Sequence, residues 1–163
     1  MKKLFVNRHA KSSWDHQGLS DFERPLNNRG FEDAPKMAER LKSRKEKIEK
    51  FISSPAKRAI STAQIMAEYY GYDPDKIEQK PELYHANNGT ILNLINDFDD
   101  AFDSIIFFGH NPGITDIVNH IAGAQIHNLP TCGICRIDFD IDEWKMVSAE
   151  NGKLIYFDYP KNN

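Results

Sequence analysis

The sequence predicts an α/β fold in which helices cover both faces of a mostly parallel β-sheet. The first observation is alternation, because short apolar segments typical of buried strands are separated by longer segments with apolar residues at helical spacing. The second is length, since 163 residues is the size of one domain with a sizeable core. No internal repeat and no linker rich in Pro, Ser or Gly interrupts the chain. We therefore expect a single domain over residues 1–163.

The strands are predicted from apolar runs that end in polar residues or glycine. Three such runs cover residues 3–6, 51–53 and 104–109. Nearer the carboxyl terminus, residues 132–139 and 153–159 flank an Asn151-Gly152 turn signal. These last two segments predict added strands, some of them antiparallel, at the edge of the sheet.

Four helices are predicted between the strands. Three show apolar stripes at intervals of three and four residues: Ala34, Met37, Ala38 and Leu41; Ile91, Leu94, Ile95 and Phe98; and Ile114, Ile117, Val118, Ile121 and Ala122. The fourth is expected from Pro55 to Tyr70, with Ser54 as its N-cap and Gly71 closing it.

The composition excludes several classes of function. The chain has 21 Lys and Arg against 24 Asp and Glu, a formal net charge of −3, so a broad basic face for nucleic acid is not expected. No apolar run reaches the roughly 20 residues of a membrane-spanning helix or the roughly 7 to 15 of a secretory signal. We therefore expect no membrane partner and a cytoplasmic location.

The two cysteines, Cys132 and Cys135, have the C-x-x-C spacing of a redox pair or of half a zinc site. A second ligand pair is absent, and Cys135 leads into the alternating pattern of a strand rather than into a helix. The sequence therefore favours small residues that enter a strand.

Polar residues follow three of the predicted strands at their carboxyl ends, where open α/β sheets bind ligands. Arg8-His9 follows the first strand, Arg58 follows the second, and His110 follows the Ser104 strand. Arg58 also lies in the first turn of a predicted helix, where the helix dipole disfavours a cation unless an anion compensates. A bound phosphate would supply that anion, so the three strand ends together indicate a phosphate site.

These residues carry a clear resemblance to a known family. The order of Arg8-His9, Ser54-Pro55-x-x-Arg58-Ala59-x-x-Thr62-Ala63 and Gly109-His110 resembles the histidine phosphatase superfamily. The segment from Arg8 to Trp14, followed by Arg24-Pro25-Leu26 and Arg29-Gly30, is similar to its SixA-type phosphohistidine phosphatase branch. The similarity extends from Met1 to about Asp138, and Ala10 stands where many members have glycine.

The resemblance implies a three-layer α/β/α sandwich of the phosphoglycerate-mutase-like type. It also implies that His9 is a nucleophile that becomes phosphorylated, that Arg8 and Arg58 hold the phosphoryl oxygens, and that His110 completes the pocket. Two arginines near a neutral imidazole suit phosphoryl transfer without a metal or another cofactor. Glu82 matches the position at which the superfamily often places its proton donor, and a surface carboxylate is the alternative at that position.

The implied activity is that of a phosphoric monoester or phosphoramidate hydrolase, with protein phosphohistidine as the favoured substrate. The chain has only short connections and no segment large enough for a lid domain, and an open site suits a phosphorylated protein side chain. The loop of residues 11–25 is the candidate for substrate contact, or else an ordered loop fixed by Trp14. Two alternatives stay open: a phosphatase of small phosphorylated metabolites, and a weakly catalytic module that binds phosphate or phosphoproteins.

Overall fold

A computed structural model describes the whole chain, residues 1–163. Its centre is a six-stranded mixed sheet with the strand order β3-β2-β4-β1-β5-β6. The strands are β1 Lys2–Arg8, β2 Lys50–Ser53, β3 Glu78–Gln79, β4 Ser104–Gly109, β5 Ile134–Phe139 and β6 Lys153–Asp158. Strands β1 to β4 run parallel to one another, whereas β5 is antiparallel to both β1 and β6. The mostly parallel sheet with an antiparallel edge is confirmed.

Four α-helices cover the sheet. They are α1 Asn28–Ser43, α2 Lys57–Tyr70, α3 Asn88–Asn96 and α4 Gly113–Ala122. Successive side chains of a strand point to opposite faces, so Phe5 packs on one side of the sheet while Leu4 and Val6 pack on the other. Met37 of α1 and Met66 of α2 share the face of Phe5.

The apolar stripes of α3 and α4 pack on the opposite face of the sheet, together with Leu4, Val6 and Phe107. The three layers are therefore helix, sheet and helix, as expected. None of the helices is both long and apolar enough to cross a membrane.

Three local predictions need correction. Helix α2 begins at Lys57 instead of Pro55, and Ala56 instead of Ser54 is its N-cap residue. The reason is that Ser54 Oγ accepts the Ala56 N–H at 3.2 Å and also pairs with His110, which holds this segment in a turn before the helix. Phe98 is buried but lies beyond the end of α3.

The remaining differences lie in strands. The two-residue strand β3 carries no apolar signal and was not predicted. Strands β5 and β6 pair as expected, but residues 140–152 join them through a one-turn helix, Trp144–Met146, instead of a tight turn at Asn151-Gly152.

Candidate active site

Neighbouring strands bring His9 and His110 together. Strands β1 and β4 are parallel neighbours in which Arg8 pairs with Gly109, so the residues that follow each strand lie side by side. The His9 N–H donates to the Gly109 carbonyl at 3.2 Å, and the centroids of the His9 and His110 rings are 5.1 Å apart. The two histidines, 101 positions apart in the sequence, therefore share one edge of the sheet.

Arg8 and Arg58 complete a cavity at this edge. Arg8 ends β1, and Arg58 is the second residue of α2. A cavity of about 220 Å³ is lined by both arginines, both histidines, Lys11 and Arg24, together with Ser12, Trp14, Asn111 and Thr131. Four of the sequence-predicted site residues thus meet around one concave space that is rich in positive charge.

One hydrogen bond sets the tautomer of His9. Its Nδ1 lies 2.7 Å from the Ala10 carbonyl oxygen, which can only accept, so Nδ1 carries the proton and Nε2 carries the lone pair. The ring is 6% exposed. Burial holds the pKa of His9 well below its usual range although the bond to Ala10 raises it, and the charges of Arg58 and Arg8 lower it further. At neutral pH His9 is therefore an uncharged imidazole with a free Nε2.

The ring of His110 is held from the other side of the cleft. Its Nε2 lies 2.8 Å from Ser54 Oγ, while its buried Nδ1 has no partner in the protein. Burial, with a contribution from the charge of Arg58, lowers the pKa of His110 to about 3. This site therefore has two neutral histidines between two permanent cations.

The guanidinium groups of Arg8 and Arg58 also have unused hydrogen-bonding capacity. Arg8 donates one bond, from an Nη to the Leu129 carbonyl at 3.1 Å, and burial lowers its pKa from the ordinary arginine value. The Nε atoms of both arginines are buried and lack a partner. Each of these two Nε–H groups lacks an acceptor, which an anion with several oxygens could supply.

Sequence reasoning missed Asp21, which holds Arg58. Arg58 donates one Nη to the Asp21 carbonyl oxygen at 2.7 Å and the other to Asp21 Oδ2 at 3.0 Å. The Tyr84 hydroxyl donates to the same Oδ2 at 2.7 Å, and Arg24 Nε donates to Oδ1 at 3.1 Å. The bond from Tyr84, followed by those from the arginines, holds the pKa of Asp21 below its usual range. Asp21 lies in a loop without periodicity, so no sequence signal marked it.

The loop of residues 11–25 contributes Lys11, Ser12, Trp14 and Arg24 to the lining of the cavity. It contains a one-turn helix, Asp21–Glu23, and pairs Ser12 with Leu26 in an isolated bridge. Trp14 is 75% exposed, and the Arg24 guanidinium stacks 3.5 Å from the centre of its ring. Trp14 is thus presented to solvent beside the site.

Glu82 lies apart from this arrangement. It belongs to the one-turn helix Pro81–Leu83, its side chain is exposed, and it does not line the cavity around His9. Its role as proton donor stays a prediction.

A family model for the histidine phosphatase superfamily (branch 1) matches residues 4–103. The chain belongs to the histidine phosphatase superfamily. An uncharacterized chloroplastic protein of Arabidopsis thaliana is 30% identical over 93% of this chain and 72% of its own length.

Two solved structures extend the comparison. The SixA protein of Agrobacterium tumefaciens, to which phosphohistidine phosphatase activity is attributed, is 28% identical with a TM-score of 0.82, and the match covers 98% of each chain. The protein histidine phosphatase SixA in complex with tungstate is 24% identical with a TM-score of 0.79, again over 98% of each chain. The resemblance to the SixA-type branch and the phosphoglycerate-mutase-like fold are both confirmed. Membership of the histidine phosphatase superfamily supports phosphatase activity on phosphorylated substrates.

Proposed function

We propose that this member of the histidine phosphatase superfamily is a metal-independent phosphatase that works through a covalent phosphohistidine on His9 and removes phosphate from protein phosphohistidine. The observation that carries the proposal is the hydrogen bond from His9 Nδ1 to the Ala10 carbonyl at 2.7 Å. It leaves Nε2 as a lone-pair nucleophile in a cavity with two guanidinium groups.

In the first half-reaction, His9 Nε2 attacks phosphorus. The N–P bond forms as the bond to the leaving group breaks, and the electron pair of that bond moves to the leaving atom. Arg8 and Arg58 bind the equatorial oxygens, where charge develops in the transition state. The proton stays on Nδ1, hydrogen-bonded to the Ala10 carbonyl, so the phosphorylated ring is a phosphoimidazolium.

In the second half-reaction, water attacks the phosphoenzyme. The N–P bond breaks and its electron pair returns to His9 Nε2, which restores the neutral ring. Both hydrogens of the water leave with the phosphate as dihydrogen phosphate, so the step balances without a separate base. The depressed pKa of His9 favours departure of phosphate, because the ring is more stable neutral than charged in this buried position.

The substrate class rests on the access to the site. The cavity of about 220 Å³ suits one phosphoryl group and is lined by the exposed Trp14 of the 11–25 loop, which also exposes Leu19 and Phe22. Exposed apolar residues beside a small charged pocket favour a protein surface over a small metabolite that is enclosed on all sides. SixA proteins, with a matching fold, support the same choice.

Trapping the intermediate tests the mechanism. The protein is incubated with a ³²P-labelled phosphodonor such as phosphoramidate and then quenched. We expect a protein-bound phosphate that is labile in acid and stable in base, absent in His9→Ala and retained in His120→Ala. His120 is the matched control because it lies on α4 and lines neither the cavity around His9 nor its neighbour. A protein that binds phosphate without forming this adduct in a single turnover would be a binding module.

Two further measurements test the finer parts of the proposal. Activity should be unchanged by EDTA, and its loss on chelation would contradict the metal-independent mechanism. Rates of release from a phosphohistidine-bearing domain should exceed those from a panel of phosphate esters. The reverse order would identify a phosphatase of small metabolites.

A further inference from the structure

A second cavity adjoins the first and differs from it in charge. It has a volume of about 460 Å³ and shares Arg58, His110 and Asn111 with the cavity around His9. The cavity around His9 is lined by four cationic side chains and no carboxylate. The neighbouring cavity contains the carboxylates of Asp21 and Asp116 and only one guanidinium, that of Arg58.

The two carboxylates differ in how far protein cations offset their charge. The bonds that Asp21 accepts from Tyr84 and Arg58 hold its pKa below the usual range, so it is ionised at neutral pH, and its charge is shared with Arg58 and Arg24, with which it forms ion pairs. Asp116 is an exposed residue of α4 that forms no ion pair, so its charge is not offset by a protein cation.

We propose that Asp21 and Asp116 select substrates whose leaving group carries positive charge, with phosphoramidates such as protonated phosphohistidine as the class that fits. The phosphoryl group occupies the cationic cavity and the leaving group occupies the acidic one. This inference rests on the proposed function and assigns a specificity role to residues outside the phosphate pocket. A negatively charged leaving group, such as a carboxylate-bearing alcohol, is repelled by the same two side chains.

The charge preference also removes the need for a proton donor. In protonated phosphohistidine, one ring nitrogen carries the phosphoryl group and the other carries a proton. When the P–N bond breaks, its electron pair returns to the ring, which departs as neutral imidazole, and the phosphoryl group bonds to His9 Nε2. An alkyl ester would depart as an alkoxide and would need a proton from an acid. A nearby carboxylate stabilises the protonated ring and so raises the reactive fraction of the substrate.

Two esters of similar size and opposite charge test the inference independently of P–N chemistry. Phosphoethanolamine has a cationic leaving group, and phosphoglycolate has an anionic one. We expect wild-type kcat/KM to favour phosphoethanolamine, and we expect Asp21→Asn and Asp116→Asn each to lower that ratio about fivefold. Asp140→Asn is the control, because Asp140 is an exposed carboxylate beyond β5 at the opposite end of the sheet.

The outcomes separate this inference from the proposed function. A kcat/KM ratio that is unchanged in both variants would overturn the selectivity role, and so would a kcat/KM that falls equally toward both esters. An equal fall toward both esters in Asp21→Asn alone would mean that Asp21 only holds Arg58. If Asp21→Asn does not fold, Asp116→Asn decides, since it breaks no ion pair. If the His9-dependent phosphoenzyme is absent from the wild-type protein, the proposed function itself fails. If the phosphoenzyme forms while the kcat/KM ratio is the same in the wild type and both variants, only the inference about selectivity is refuted.

Discussion

The two neutral histidines of the candidate active site should make folding stability fall as the pH is lowered below neutrality. In the unfolded chain each imidazole takes up a proton near pH 6.5. In the folded protein the pKa of His110 is lowered to about 3 and that of His9 is also well below its usual range. Because the folded pKa is depressed, the unfolded state binds more protons in this interval. The stabilisation is therefore present above pH 6.5 and is lost as the pH falls toward the folded pKa.

The size of the effect follows from the titration of each ring. A difference of one pKa unit corresponds to about 1.36 kcal/mol, so with a folded pKa of about 3 the imidazole of His110 removes about 2.7 kcal/mol from the free energy of unfolding between pH 7.5 and 4.5. This loss from His110 is a substantial part of the roughly 5 to 15 kcal/mol typical of a folded domain, and the lowered pKa of His9 acts in the same direction. The bonds that depress the pKa of Asp21 affect stability only at lower pH.

Urea unfolding of the wild-type protein and of His110→Gln, each measured at several pH values from 7.5 to 4.5, checks this prediction. The comparison uses the slopes of free energy against pH, because the substitution also changes stability at pH 7.5. We expect the curve of His110→Gln to lose about 2.7 kcal/mol less over the interval. Parallel curves for the two proteins would refute the reasoning, since they would mean that His110 titrates alike in the folded and unfolded states.

Three substitutions test other contacts. In Gly30→Ala the new Cβ would lie 2.3 Å from the Lys11 carbonyl oxygen, so we expect a loss of about 1 to 3 kcal/mol and a fall in Tm of about 2 to 4 °C per kcal/mol in thermal unfolding; an unchanged Tm would argue against this close approach. Arg58→Lys removes the fork that bonds both Asp21 oxygens, and kcat/KM should fall about 10²- to 10³-fold in steady-state assays, whereas a wild-type rate would contradict the role of the guanidinium. Glu82→Gln should leave phosphohistidine hydrolysis within about threefold, while a loss of about 10²-fold or more against an ester would identify Glu82 as a proton donor.

The parts of the site that sequence could predict are those attached to regular structure. The apolar runs of β1 and β4 placed His9 and His110 after strand ends, and the parallel pairing of these strands brings the two rings together. Arg58 was predicted from the start of α2, although the helix begins two residues later than expected. In each case a periodic apolar pattern locates the polar residue beside it.

The parts that could not be predicted depend on contacts between distant segments. Asp21 acquires its role because the 11–25 loop folds toward α2 and toward Tyr84, which is 63 positions away. Ser54 was assigned as a helix cap because of its residue type, yet its hydroxyl also pairs with His110, 56 positions away. No pattern of residues in either segment records such a partner, so only the folded chain reveals it.

The burial of the two cysteines has a consequence for the chemistry that this protein can tolerate. Cys132 and Cys135 are free thiols inside the core, and the Cys132 N–H donates to the His9 carbonyl at 2.9 Å, so the first thiol belongs to a residue that supports His9, the proposed nucleophile. Burial raises the pKa of both thiols, that of Cys135 to about 12. Since peroxide and alkylating reagents attack accessible thiolates, neither cysteine offers them a target. The proposed reaction at His9, carried by an imidazole, therefore needs no exposed thiolate, and we expect it to be insensitive to reagents that modify thiolates.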